Sequence, residues 1–257
     1  MTMMLASVRS LDEALVALEG GADLIDLKEP SHGALGALDH AAVRVCVHAI
    51  GGRRPVSATS GDIPSMEPDA MTDAVARMAA TGVDFVKIGF FSGPRAHECA
   101  AALAGLARDV RLVAVLFADE PYDLTLLDEL AGSGFTGAML DTARKTGKAL
   151  PDWRDAAECE QFVSRCRKLG LLTGLAGSLR KKDVAPLLAI GPDYLGFRGA
   201  LCRHGERSGI LDRGALEEIR AAIPESLPRI QRKATQGIRT SFDSFLGSPQ
   251  RRVSRPS

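Results

Sequence analysis

Short apolar runs recur along the chain, separated by longer stretches in which apolar residues return every three or four positions. The runs suit buried parallel strands, and the longer stretches suit helices with one covered face. Strands are expected at Met4 to Val8, Leu24 to Lys28, Pro55 to Thr59, Phe85 to Phe90, Leu112 to Phe117, Gly137 to Asp141, Leu172 to Ala176 and Tyr194 to Arg198. Strands alternating with helices predict an α/β protein. Eight such pairs favour a single TIM (β/α)8 barrel over an open doubly wound sheet, which shares the alternation.

Local signals agree with that division. In SLDEALVALEGG, Ser10 is placed to cap a helix, Glu13 follows at the capping-box distance, and Gly20 with Gly21 ends the helix. PDAMTDAVARMAATG repeats the grammar, and GGADLIDL, TGVDFVKIG and IGPDYLGFRG share one pattern of glycine, polar residue and strand. The length of 257 residues matches the roughly 250 that a barrel needs. After Pro224 the composition turns to Ser, Pro and Arg, with seven basic residues against one acidic from Arg229 onward. Residues 1–224 are therefore expected to form the catalytic barrel, and 225–257 a basic, flexible, solvated tail.

Charge and cysteine usage narrow the partners. Lys and Arg total 32, as do Asp and Glu, so no global field gathers nucleic acid or an anionic membrane. A small-molecule partner is expected, and homo-oligomerisation stays open. Five scattered cysteines without a CxxC pair argue against a disulfide framework or structural zinc. MTMMLASVRS lacks the plan of a signal peptide, so a cytoplasmic location is expected. His32, His40, His48, His97 and His204 show no HxH or HExxH spacing, and neither a metal nor a cofactor is expected.

Active sites of such barrels lie at the carboxyl ends of the strands. Asp26 and Lys28 stand two apart in LIDLKEP, placing a carboxylate and an amine on one side of the strand end. Lysine attacks a carbonyl only when neutral, and desolvation or a second cation favours that form. Lys87, within the apolar run FVKIGF, is the candidate second cation. Asp141 ends the sixth strand and Lys145 follows one short loop later, adding a second acid and amine; for Lys145, and more so for Lys148, solvated loop charge is nearly as good a reading. An anion pocket is expected after the last two strands, from Gly177 and Ser178 in LAGSLRKKD and from Arg198 and Gly199 in GFRGALC. Ser57, Thr59, Ser60 and Asp62 in SATSGDIP either position substrate or close a turn, and Cys202 has no histidine arrangement to mark it as a nucleophile.

In order along the chain, GGADLIDLKEP, GALGAL, SATSGDIP, DFVKIGF, AMLDTARKTGK, LAGSL and GFRGALC resemble the (5-formylfuran-3-yl)methyl phosphate synthase family. The resemblance spans nearly the whole barrel. It implies condensation of two glyceraldehyde 3-phosphate molecules into a phosphorylated furan aldehyde for methanofuran or methylofuran, with loss of phosphate and water. It matches Lys28 to the Schiff-base lysine and Lys87 to a proton-transferring residue, and it assigns Asp26, Asp141 and Lys145 to the polar site. The basic tail departs from the compact family pattern. Two other readings use the same residues: another Schiff-base aldolase acting on a sugar phosphate, and a non-catalytic barrel that binds a phosphorylated metabolite.

Overall fold

A computed structural model describes residues 2–224; the expected tail, 225–257, lies outside the described residues. Eight parallel strands close into a barrel in chain order, β8 pairing with β1. They are β1 (Met3–Val8), β2 (Leu24–Leu27), β3 (Val56–Thr59), β4 (Phe85–Phe90), β5 (Arg111–Phe117), β6 (Gly137–Asp141), β7 (Leu172–Leu175) and β8 (Tyr194–Phe197). The helices are α1 (Leu11–Glu19), α2 (His40–Ile50), α3 (Pro68–Ala79), α4 (Ala96–Leu103), α5 (Leu126–Gly132), α6 (Ala156–Lys168), α7 (Lys181–Ile190) and α8 (Arg213–Ala222). The single TIM barrel expected from the alternation is the fold observed. Two strands match their expected bounds, and the others differ by one residue at one end.

Strand alternation separates two apolar layers. Outward residues such as Ile25, Ala58, Ile88, Ala114 and Leu140 pack under the helices with Val43, Met71, Val75 and Phe162. Burying each large aliphatic or aromatic side chain there contributes about 1.5–3 kcal/mol. Inward residues fill the barrel, and at its base Gly174 makes room for Tyr194: a Cβ on Gly174 would come within 2.3 Å of the tyrosine ring.

α1 begins as its sequence predicts, with the Ser10 side chain accepting from the Glu13 N–H. The Glu13 carboxylate reaches one residue farther back than a capping box would, accepting from the Arg9 N–H at 3.0 Å, and it turns inward to a second partner at the barrel mouth. α6 shows the complete reciprocal pair, between Asp155 and Glu158. Among the described residues, no helix is long and apolar enough to cross a membrane.

Candidate active site

The register of β1, β2 and β3 puts Ser7 beside Asp26 and Asp26 beside Ser57. All three point into the barrel, and both hydroxyls donate to the carboxylate, Ser7 to Oδ2 at 2.8 Å and Ser57 to Oδ1 at 2.6 Å. Lys87, inward-facing on β4, donates from Nζ to Asp26 Oδ2 at 3.0 Å. Burial alone would raise the Asp26 pKa, but Lys87, Lys28 and the Ser57 hydroxyl outweigh it and hold the carboxyl below its ordinary value. Asp26 is therefore a buried anion fixed by three donors. Sequence spacing placed it beside the Lys28 amine, whereas its direct contact is with Lys87.

Lys28 is the first residue past β2, where its backbone N–H still donates to Val8. Its side chain is only 5% exposed and lines the cavity at the mouth. Among the described residues, Nζ makes no hydrogen bond and no salt bridge within 4.0 Å. Burial pushes its pKa down to about 8, with Lys87 and Lys145 acting in the same direction and Asp141 and Asp26 opposing. The neutral amine is the form that adds to a carbonyl, and the lowered pKa raises its share near neutral pH far above that of an ordinary lysine.

Asp141 closes β6, and Lys145 turns back over it from the following loop. Lys145 Nζ donates to Asp141 Oδ1 at 2.8 Å, to Thr142 Oγ1 at 3.0 Å and to the Thr142 carbonyl. Burial works to raise the Asp141 pKa, but Lys145 and Lys28 prevail and keep it well below the usual carboxylate range. The site thus holds two buried carboxylates and three amines, of which, among the described residues, Lys28 alone lacks a carboxylate contact.

After β7 the chain takes two consecutive left-handed steps, at Gly177 (φ 105°) and Ser178 (φ 50°). Successive amides in a tight turn can form a concave anion-binding nest. The N–H groups of Gly177, Ser178 and Leu179 have no acceptor among the described residues, and these residues line the same cavity. Gly199, after β8, lines it as well, and the cavity holds roughly 340 Å³, within the range of small-molecule sites.

Arg198 departs from the expected phosphate fork. Nε donates to the Arg207 carbonyl at 2.8 Å, Nη1 to the Ser7 carbonyl and Glu13, and Nη2 to Glu13 and the Gly209 carbonyl. A guanidinium has five N–H donors, and all five are occupied. Arg198 is a bracket that ties β1, α1 and the loop after β8 together, with Glu13 as its counter-ion. Position at a strand end suggested a ligand contact; two of the competing acceptors, Ser7 and Glu13, are more than 180 positions away, and the other two are backbone carbonyls 9 and 11 residues on, which carry no side-chain signal.

The remaining polar candidates divide similarly. Thr59 Oγ1 donates to the Gly36 carbonyl at 2.8 Å, and Asp62 Oδ1 accepts from the Leu35 N–H at 3.0 Å. SATSGDIP therefore clamps the GALGAL loop across the mouth. Ser60 donates to the Lys87 carbonyl from its backbone N–H and from its hydroxyl. Lys148 is exposed, 4.6 Å from the Trp153 ring centre. Cys202 is buried, with its thiol pKa raised by burial. Sequence reasoning missed Ser7, Glu13, Thr142 and Arg207. The one available signal was Ser7, a lone polar residue in an otherwise apolar strand.

Comparison with known proteins brings the same region into view. The 4-HFC-P synthase family model matches residues 4–220. A Methylorubrum extorquens protein whose name assigns it to (5-formylfuran-3-yl)methyl phosphate synthase is 46% identical over 222 residues, 85% of this chain and 92% of its own. The synthases of that name from Methanopyrus kandleri and Methanothermobacter thermautotrophicus are 37% and 36% identical, covering 83% and 86% of this chain and 93% and 98% of theirs. Among solved structures, phosphoribosyl anthranilate isomerase from Thermus thermophilus superposes with a TM-score of 0.60 at 18% identity, covering 86% of this chain and 98% of its own. 3-Keto-L-gulonate-6-phosphate decarboxylase from Vibrio cholerae does so with 0.59 at 15%, covering 87% and 99%. These two likenesses establish the barrel alone. The family match and the relatives, which together span nearly the whole barrel, establish that the chain belongs to the (5-formylfuran-3-yl)methyl phosphate synthase family.

Proposed function

We propose that this chain condenses two molecules of glyceraldehyde 3-phosphate into (5-formylfuran-3-yl)methyl phosphate through a Schiff base on Lys28. The observation that carries the reading is the Lys28 amine: buried at the cavity wall, without a hydrogen-bond partner among the described residues, and depressed to a pKa of about 8. A phosphate docked in the Gly177–Ser178 nest would bring a three-carbon aldehyde within reach of an amine at the same mouth.

Addition of Nζ to the aldehyde, then loss of water, yields the imine. Its positive nitrogen acidifies the neighbouring C–H, and removal of that proton gives an enamine whose carbon attacks the second aldehyde. Lys87, held by Asp26 and lining the cavity, is suited to relay protons once it has passed one on. Asp141 and Lys145 form a second proton-handling pair on the opposite wall. Two triose phosphates become the product by releasing one phosphate and two waters, with no net oxidation or reduction. Aromatisation of the furan draws the sequence forward.

A different Schiff-base aldolase acting on a sugar phosphate would use the same lysine but release a simple aldol. Incubation of the purified protein with glyceraldehyde 3-phosphate alone, followed by mass analysis, separates them. The furan aldehyde phosphate is expected; an aldol adduct retaining both phosphates contradicts the proposal.

A further inference from the structure

Joining two phosphorylated trioses brings two phosphates to one amine, and the free amides after β7 offer a place for one. We propose that Arg207, in the loop after β8, anchors the phosphate of the second triose, the one that accepts the new carbon–carbon bond. The inference rests on the two-triose reading above and deepens it.

Arg207 is half-buried and lines the cavity that contains Lys28. Its Nη2 donates to the Gly33 carbonyl at 2.9 Å. Among the described residues it makes no other side-chain hydrogen bond and no salt bridge within 4.0 Å, so four of its five donors are open. Other arginines around the mouth are engaged: Arg198 has every donor filled, Arg180 contacts Asp152 and Asp183, and Arg9 contacts Glu13. Burial disfavours the charge of Arg207, and Asp141, Asp62 and Glu29 offset this only through space. A partly desolvated guanidinium with an open fork is complementary to a phosphate, which restores the lost solvation through paired hydrogen bonds.

Placement distinguishes this position from the nest. Gly33 belongs to the loop after β2, the loop that Lys28 begins, whereas the nest follows β7, three strands away through β1 and β8. Arg207 thus spans from its own loop toward the Lys28 side of the mouth. Its anchor is itself fixed, because Asp62 holds the same loop through the Leu35 N–H. A rigidly held fork at that wall would orient the second aldehyde toward an enamine on Lys28.

Glycerol 3-phosphate carries the phosphate and lacks the carbonyl, so calorimetric titration of the full-length protein counts anion positions without chemistry. Two equivalents are expected for the wild type and one for Arg207→Met. Arg207→Lys, which keeps the charge without the fork, should recover the second equivalent with affinity weaker by about tenfold. In parallel, Arg207→Met should lose about 100-fold or more in furan formation, while borohydride labelling of Lys28 by glyceraldehyde 3-phosphate stays within about threefold of wild type. A single equivalent in the wild type, or two in Arg207→Met, overturns the assignment. Absence of any Lys28 adduct in the wild type is a separate result, one that contradicts the Schiff-base reading and not the anion count.

Discussion

Lys87 donates to Asp26 at 3.0 Å beneath the barrel mouth, with side-chain exposures of 2% and 0%. The pair is a buried cation and a buried anion, and the anion also takes hydrogen bonds from Ser7 and Ser57. Removing one member leaves the other buried without its counter-charge. Lys87→Met or Asp26→Asn is expected to cost about 3–5 kcal/mol of stability, and the double variant less than the sum of the singles. Urea unfolding midpoints of the four proteins test this. Additive losses would show that the two charges are not coupled.

The Lys28 amine sets the pH dependence of covalent capture. Its pKa stands near 8 against an ordinary 10.5, so the reactive neutral fraction grows about tenfold per pH unit below 8 and levels off above it. Cyanoborohydride labelling of Lys28 across pH 6 to 10 should follow that curve. The same shift affects stability. Between about 8 and 10.5 the unfolded chain binds the proton that the native amine has released, so this lysine's contribution to stability rises with pH in that window. Below it, the buried ammonium is a standing cost.

Asp141 pulls the Lys28 pKa upward, and Lys145 pulls it downward. Lys145→Met should therefore move the labelling curve to higher pH, and Asp141→Asn should move it to lower pH. Opposite displacements read electrostatics at Lys28, whereas a purely structural loss would weaken labelling at every pH without moving its midpoint.

Arg198 and Arg207 separate bracket from ligand contact. Arg198→Met leaves the Glu13 carboxylate buried without its counter-ion and is expected to cost about 3–5 kcal/mol. The protein that remains folded should bind both equivalents of glycerol 3-phosphate, the second more weakly, because Arg198 also holds the Arg207 carbonyl. Arg207→Met should show the reverse, near-native stability with one equivalent lost. Denaturant midpoints measured beside the titrations distinguish the two arginines.

Much of this architecture was legible in the chain, because a parallel barrel writes its strands as short apolar runs and its helices as longer amphipathic ones. FVKIGF and GAMLD were bounded as observed, and the lysine inside FVKIGF was recognisable because an ammonium in an apolar strand needs a polar cavity or a partner. What escaped were pairings set by the folded barrel, through its strand register and its closing seam. Arg198 meets Glu13 across 185 positions, and Ser7 and Asp26 meet through strand register, not through spacing. The inner face shared by β2, β3 and β4 explains why Asp26, two residues from Lys28, grips Lys87 instead. Arg207 lies in a polar loop where sequence offers no means of telling an open guanidinium from a solvated one.

The central claim is that Lys28 forms the imine. Borohydride reduction in the presence of glyceraldehyde 3-phosphate, followed by peptide mapping, tests it most directly, with Lys28→Met as the control. The predicted result is one adduct on Lys28 in the wild type, and in Lys28→Met a folded protein with neither adduct nor furan product. An adduct on Lys87 or Lys145 in place of Lys28, or furan formation undiminished in Lys28→Met, would contradict the account.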